Sequence, residues 1–146
     1  MSKKRIIIVS GYFNPIHKGH IELFHKAREK GEFLFVIVNN DAQRKLKGSK
    51  EFMYENERLL ILSELKIIDK VFLSIDQDYS VSKTLEKINS QFSKTHTLFF
   101  ANGGDQNNRS IPEFKICQNL GIELIHGLGK KVQSSSWLLD RLNENK

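Results

Sequence analysis

The chain has 146 residues, enough for one domain with a single hydrophobic core, and its one cysteine excludes an internal disulfide. Its net charge of +6 suits nucleic acid or small polyanions such as nucleotides, and the scattered basic residues, without a nucleic-acid-binding motif, favour the polyanions. No apolar run approaches the roughly 20 residues that cross a bilayer, and no signal-peptide cleavage site follows the first strand, so we expect a single cytoplasmic domain over residues 1–146 that binds neither membrane nor nucleic acid.

Short strands rich in Val, Ile, Leu and Phe alternate with helical patterns along the chain. We predict strands at 5–10, 33–39, 70–75, 97–101 and 122–126, and helices at 18–30, 55–66, 81–92, 111–120 and 135–143. Segment 41–52 is polar and basic, so we predict a loop there that is mobile until a ligand binds. The alternation predicts an α/β fold, a Rossmann-like single domain with a five-stranded parallel sheet and helices on both faces.

The segments that follow the strands are the expected place for a ligand, because open parallel sheets bind ligands beyond the carboxyl ends of their strands. The first of these segments reads GYFNPIHKGH. Gly11 allows a sharp turn off the strand, and a helix that begins near Lys18 directs its free N–H groups at an anion. His17 and His20 can both face one bound group, and Gly19 leaves room for a phosphate. The structural alternative is that one histidine caps the helix and the other packs in the core.

This segment resembles the G-x-F-[D/N]-x-x-H-x-G-H signature of the cytidylyltransferase-like nucleotidyltransferases. In that superfamily the two histidines bind the nucleotide α-phosphate and stabilise its transition state, which implies catalytic roles for His17 and His20. The resemblance also implies nucleotide contacts from Gly11, Tyr12, Phe13, Asn14 and Gly19. The family's second signature is a run of serines or threonines that opens the last helix, and VQSSSW corresponds to it. That match implies nucleotide-binding roles for Ser134, Ser135 and Ser136.

Three internal stretches resemble narrower groups of that superfamily. VNNDAQRKLKG is similar to a segment of heptose-phosphate adenylyltransferases, which implies a phosphate contact for the catalytic candidate Lys47 or the nucleotide-binding candidate Lys45. ENERLLILSELKIIDKV matches a helix shared with glycerol-3-phosphate cytidylyltransferases, which implies a nucleotide phosphate contact for Arg58. NGGD resembles a loop of both groups and implies substrate-binding roles for Gly103, Gly104 and Asp105. The structural alternatives are a solvated charge run, a surface ion pair of Arg58 with a nearby glutamate, and an Asx-turn.

Two features leave the nucleotide and the acceptor open. The stretch FNPIHKGH is also common in nicotinamide-mononucleotide adenylyltransferases. Cytidylyltransferases usually carry R-T-x-G-I-S-[ST]-[ST], where this chain has GLGKKVQSSS. Gly129 then occupies the arginine position, and Lys130 or Lys131 would supply the charge without the bidentate fork of an arginine.

We therefore predict a nucleotidyltransferase, in which the phosphate of a small polyol or sugar phosphate attacks the α-phosphorus of CTP or ATP and displaces pyrophosphate. CTP is slightly favoured. The alternative is ATP with a sugar phosphate of the heptose-phosphate type or with nicotinamide mononucleotide. Mg²⁺ is expected with the triphosphate, held by phosphates and water rather than by a protein site. The resemblance implies a homodimer. The competing classes are a nucleotide-binding module without catalysis and a nucleic-acid-binding protein.

Overall fold

The computed structural model describes residues 3–48, 50–101 and 111–128. Its strands are β1 Lys4–Gly11, β2 Phe33–Val38, β3 Lys70–Leu73, β4 His96–Ala101 and β5 Glu123–Ile125. They pair in parallel in the order β3-β2-β1-β4-β5. The helices of the described ranges are α1 Lys18–Arg28, α2 Asp41–Lys47, α3 Glu55–Ser63, α4 Ser82–Phe92 and α5 Phe114–Leu120. The predicted α/β fold with its five parallel strands is confirmed, and the predicted helix at 135–143 lies outside the described residues.

The central strand β1 supplies side chains to two hydrophobic cores, one on each face of the sheet. Ile6 and Ile8 lie in a core with residues of α4 and α5, whereas Ile7 and Val9 lie in a core with residues of α1 and α3. A strand covered on both faces must be apolar at every position, which explains why four apolar residues follow one another here. Cys117 is buried in the first core, and burial raises the pKa of its thiol to about 12. Within the described ranges, no helix is long and apolar enough to span a bilayer.

Helix α2 replaces part of the loop that was predicted at 41–52. Asn40 accepts a hydrogen bond from the Gln43 N–H at 2.8 Å, and Gln43 Oε1 accepts one from the Asn40 N–H at 3.1 Å, which is a capping box. Gly48 ends the helix with a left-handed φ of 79°. The loop prediction is wrong for 41–47 because it relied on polarity and charge, whereas the capping residues at both ends determine the helix.

Candidate functional site

A cavity of about 370 Å³ lies at the carboxyl edge of the sheet, where β1 and β4 end side by side. The strand order reverses between these two strands, and open parallel sheets leave a crevice at such a point. Phe100, Ala101 and Ile111 contribute apolar lining. The polar part of the described lining includes Ser10, Tyr12, Asn39, Lys47, Tyr79 and Glu113. The predicted binding edge is therefore the edge that carries the cavity.

The two histidines of the β1–α1 connection stack on each other at the start of α1, with ring centroids 3.8 Å apart and planes inclined by 23°. His17 is the N-cap, and its Nδ1 accepts a hydrogen bond from the Gly19 N–H at 3.1 Å. His20 Nδ1 accepts one from the His17 N–H at 3.1 Å. Because Nδ1 is the acceptor in both rings, the ring proton lies on Nε2, which is then a hydrogen-bond donor. The structure brings together the two histidines that the motif singled out.

His20 is neutral at physiological pH. Burial, and after it the nearby His17, lower the pKa of His20 to about 3. Part of the burial comes from Phe13, whose ring meets the His20 ring edge-on at a centroid distance of 4.8 Å. The first turn of α1 holds no acidic residue, so the positive end of the helix dipole is not compensated there. A neutral donor beside a positive helix end suits a phosphate without the cost of a buried cation.

The turn that precedes the histidines is shaped by Phe13, which adopts a left-handed φ of 53° that bulky residues rarely adopt. Its ring also packs against Phe24 at 5.6 Å, and only 2% of the residue is exposed. Gly11 is required here, since a Cβ at this position would lie 2.8 Å from the Phe13 ring. The ring of Phe13 is therefore buried and positions His20, and the nucleotide contact implied for this residue stays a prediction.

Asn14 connects the same turn to the segment that follows α2. Its side-chain nitrogen donates to the carbonyl of Lys50 at 2.8 Å. Its Oδ1 accepts from the N–H groups of Phe52 and Met53 at 2.9 and 2.7 Å. Both ends of this buried amide bind the protein backbone, and the nucleotide contact implied for Asn14 stays a prediction.

Arg58 is completely buried and joins three segments behind the cavity. Its Nε donates to the carbonyl of Met53 at 3.1 Å, and its Nη1 donates to the carbonyls of Tyr12 and Asn39, both at 2.7 Å. Its Nη2 forms an ion pair with Asp41 Oδ1 at 2.8 Å. Arg58 thus pairs with Asp41 and not with a nearby glutamate, and the phosphate contact implied for it stays a prediction. The guanidinium fixes the backbone of two residues that line the cavity.

The structure distinguishes the two candidate lysines of α2. Lys47 lines the cavity, and its Nζ lies 4.5 Å from the centre of the Tyr12 ring. Both lysines are exposed, but Lys45 does not belong to the described lining. Burial raises the pKa of the Tyr12 phenol, and Arg58 opposes this effect, so the ring beside Lys47 is uncharged at neutral pH. Lys47 is therefore the lysine placed to meet a ligand in the cavity.

Residues 8–120 match the family model described as cytidylyltransferase-like. The chain belongs to the cytidylyltransferase-like family. It is 34% identical over 137 residues to the bifunctional protein HldE of Pelobacter propionicus, which covers 92% of this chain and 25% of that protein. It is 32% identical over 72 residues to the FAD synthase of Thermoplasma volcanium, which covers 49% of this chain and 51% of that protein. The chain thus spans from a quarter to about half of the length of these relatives.

A crystal structure of the lipopolysaccharide core biosynthesis protein from Thermoplasma volcanium has a fold similar to that of this chain. The two chains superpose with a TM-score of 0.68 at 22% sequence identity. The superposition covers 84% of this chain and 95% of the other. This likeness supports the shared parallel-sheet architecture.

Several motif residues of the family lie outside the described residues. They are the substrate-binding candidates Gly103, Gly104 and Asp105, the nucleotide-binding candidates Ser134, Ser135 and Ser136, and the two lysines Lys130 and Lys131. Within the described ranges, no group of three or more His, Cys, Asp or Glu side chains could hold a metal ion.

Gln43 is a buried residue, bonded to the cavity residue Asn39, that the sequence interpretation missed. Its Nε2 donates to the carbonyls of Asp78 and Ser80 at 2.9 and 2.8 Å, and its Oε1 accepts from the Asn39 side chain at 3.0 Å. These bonds tie α2 to the segment after β3, which carries the cavity residue Tyr79. The spacing of Asn and Gln in NDAQ is the signal that predicts this capping residue.

Glu113 is a second residue that sequence reasoning missed. It lines the cavity, is only 7% exposed, and its Oε2 accepts a hydrogen bond from the Val81 N–H at 3.1 Å. Burial raises the pKa of Glu113, and the bond from Val81 opposes that rise. No motif marks this residue, because its position in the lining depends on the packing of α5 near the start of α4.

Proposed function

We propose that this chain transfers a nucleotidyl group from a nucleoside triphosphate to the phosphate of a small phosphorylated acceptor, with release of pyrophosphate. The stacked pair of His17 and His20 carries the proposal, because it sets two imidazole donors at the positive end of α1. This end of the helix lies at the edge of the sheet that bears the cavity. Membership in the cytidylyltransferase-like family supports the reaction class.

In the proposed mechanism, an acceptor phosphate oxygen attacks the α-phosphorus in line while pyrophosphate leaves. Negative charge grows on the α-phosphate oxygens, and the Nε2–H donors of His17 and His20 bind those oxygens more strongly as it grows. Lys47 contacts a phosphate of one substrate from the cavity lining. Mg²⁺ would enter with the triphosphate and neutralise part of its charge, with phosphate oxygens and water as its expected ligands.

For the nucleotide, we favour ATP, which reverses the slight preference for CTP. The stretch VNNDAQRKLKG resembles heptose-phosphate adenylyltransferases, and FAD, the product named for the second relative, contains an adenosine. CTP is the second candidate, because ENERLLILSELKIIDKV also resembles glycerol-3-phosphate cytidylyltransferases. We take the acceptor to be a sugar or polyol phosphate and the active form to be a homodimer, in line with the resemblance.

Pyrophosphate release with Mg²⁺ and a panel of phosphorylated sugars, polyols and aminoalcohols tests this function, with ATP and CTP in parallel. We expect release that depends on both one nucleotide and one class of acceptor. Calorimetric titration of both nucleotides forms a second arm. Binding of neither nucleotide by the folded protein would refute the proposal. Binding without pyrophosphate release from any acceptor would indicate a nucleotide-binding module.

A further inference from the structure

We propose that Glu113 is a specificity-determining residue that accepts a hydrogen bond from an O–H or N–H group of the phosphorylated acceptor. The inference rests on the proposed nucleotidyl transfer and specifies the chemistry of the substrate that enters the cavity. It assigns a ligand contact to a residue that belongs to none of the family's motifs.

The charges of the cavity lining indicate which ligand fits. Among its described residues, Lys47 is the basic one and Glu113 the acidic one, and tyrosine, small and apolar residues make up most of the rest. A phosphate is attracted by the lysine and repelled by the carboxylate. A ligand with one phosphate at one end and uncharged or cationic hydrogen-bond donors at the other satisfies both. Polyol and sugar phosphates carry uncharged O–H donors, and an aminoalcohol phosphate carries an ammonium group.

The carboxylate of Glu113 has capacity for such a donor. A carboxylate offers about four lone-pair sites, and the Val81 N–H occupies one of them at Oε2. Burial of a carboxylate without enough donors is unfavourable, and Asp76 and Asp78 add like charge nearby, which also raises the pKa of Glu113. A donor from the ligand would offset this cost in the occupied cavity, and an acceptor that lacks the donor would leave it uncompensated.

The amino group of a nucleobase is the competing partner for this carboxylate. A nucleoside triphosphate carries several phosphate charges, however, and Lys47 is the sole basic residue in the described part of the lining. The proposed α-phosphate donors, His17 and His20, do not belong to that lining. The described cavity therefore matches a monophosphate ester better than it matches a nucleotide.

The decisive variant is Glu113→Gln. Its amide oxygen can still accept the Val81 N–H, while the charge and part of the acceptor capacity are lost. Glu86→Gln is the matched control, because Glu86 is exposed on α4 and lies outside the described lining. We expect Glu113→Gln to raise the KM for acceptors with donors by about 10- to 100-fold, the range for a hydrogen bond to a charged group. The Kd of the nucleotide and the melting temperature should stay close to those of the control.

Three acceptor compounds show which kind of donor group binds Glu113. Glycerol 3-phosphate offers O–H groups, phosphoethanolamine offers an ammonium N–H, and ethyl phosphate offers neither. We expect the penalty of Glu113→Gln for one of the first two compounds, and an unchanged KM for ethyl phosphate. Calorimetric titration of the same compounds gives a readout that is independent of turnover.

Three results would overturn the inference: a variant that weakens only nucleotide binding, a uniform loss for all three compounds with early melting, or a wild-type protein that binds none of them. Selective binding of a donor-bearing acceptor, lost in Glu113→Gln, together with an absence of pyrophosphate release, would support the inference and refute the proposed reaction.

Discussion

The connections β1–α1 and β2–α2 lie at the same edge of the sheet. Both start a helix with the same capping motif, but the capping residues have different roles. Each helix begins with a reciprocal capping box, formed by His17 and His20 in α1 and by Asn40 and Gln43 in α2. In the first connection the capping residues are also the proposed phosphate ligands. In the second they are bound to the protein itself, and the candidate ligand residue is Lys47 at the other end of the helix.

The chemistry of the capping side chain explains this difference. An imidazole uses Nδ1 for the cap and presents Nε2 on the other side of the ring, so one residue can cap a helix and meet a ligand. The amide of Gln43 gives its oxygen to the N–H of Asn40 and its nitrogen to the carbonyls of Asp78 and Ser80. A capping box with histidines therefore indicates a candidate site, whereas one with amides indicates a rigid support for the site.

Arg58→Ala should have the largest effect on stability, because Arg58 binds backbone or side-chain atoms of both connections. We expect the free energy of unfolding to fall by about 3 kcal/mol, since a completely buried guanidinium is removed, its partly buried ion pair with Asp41 is broken and three backbone carbonyls lose a donor. Urea unfolding measures this change. Arg58→Lys retains the charge without the planar set of guanidinium donors, and its loss of stability should be intermediate. A loss in Arg58→Ala no greater than that in the surface variant Lys45→Ala would contradict the positioning role.

His17→Asn and His20→Gln should impair catalysis at the β1–α1 connection without destabilising the fold. Asparagine at the N-cap and glutamine at the third helical position can keep the capping box, but neither supplies the imidazole donor. We expect kcat to fall by about 10²–10³-fold, roughly 3–4 kcal/mol, with little change in melting temperature. His17→Ala should also lose about 1 kcal/mol of stability with its cap. Variants that melt early and keep a normal kcat would show that the histidines are structural.

Gln43→Met should destabilise the fold at the β2–α2 connection. Methionine is close to glutamine in size but cannot make the buried hydrogen bonds, so we expect a loss of about 1–3 kcal/mol in the free energy of unfolding. Gln118→Met on the exposed part of α5 is the control for the substitution itself. Equal unfolding curves for the two variants would show that the hydrogen bonds from Gln43 to the segment after β3 contribute nothing measurable to stability.

The pH dependence of stability should separate the two capping boxes further. The pKa of His20 is about 3 in the folded protein, against a usual value of 6.5, so the unfolded chain binds more protons between these values. Stability should therefore fall as pH falls below about 6.5, by about 2 kcal/mol at pH 5 from this group. The raised pKa of Glu113 acts in the opposite direction. The difference between wild type and His20→Gln isolates the histidine, and parallel stability curves would refute its low pKa.

The comparison of Lys47→Ala with Lys45→Ala should give the smallest effect of these variants. It tests which lysine of α2 contacts a substrate. Lys47 lines the cavity and Lys45 does not, so we expect the KM of one substrate to rise about 10-fold in the first variant and less than about 2-fold in the second. Folding should be unchanged in both. A larger effect in Lys45→Ala would reverse the assignment.

The sequence alone determined the architecture and the histidine pair, because both depend on local patterns. Consecutive apolar residues in β1 predict a strand buried on two faces, and the alternation with amphipathic helices predicts the parallel sheet. His17 and His20 are three residues apart at a helix start, where the reciprocal capping box brings them together. The same kind of local signal was present for α2 in NDAQ, and attention to charge instead of capping led to the wrong prediction there.

Only the tertiary structure decided what the other candidates contact. Arg58 and Tyr12 are 46 residues apart, Asn14 and Lys50 are 36 apart, and the Glu113–Val81 bond spans 32 residues. No local periodicity reports such a contact, because it depends on how several elements pack at the carboxyl edge of the sheet. A motif predicts which side chain occupies a position, but burial and long-range partners decide whether that side chain faces the ligand or supports the residues that do.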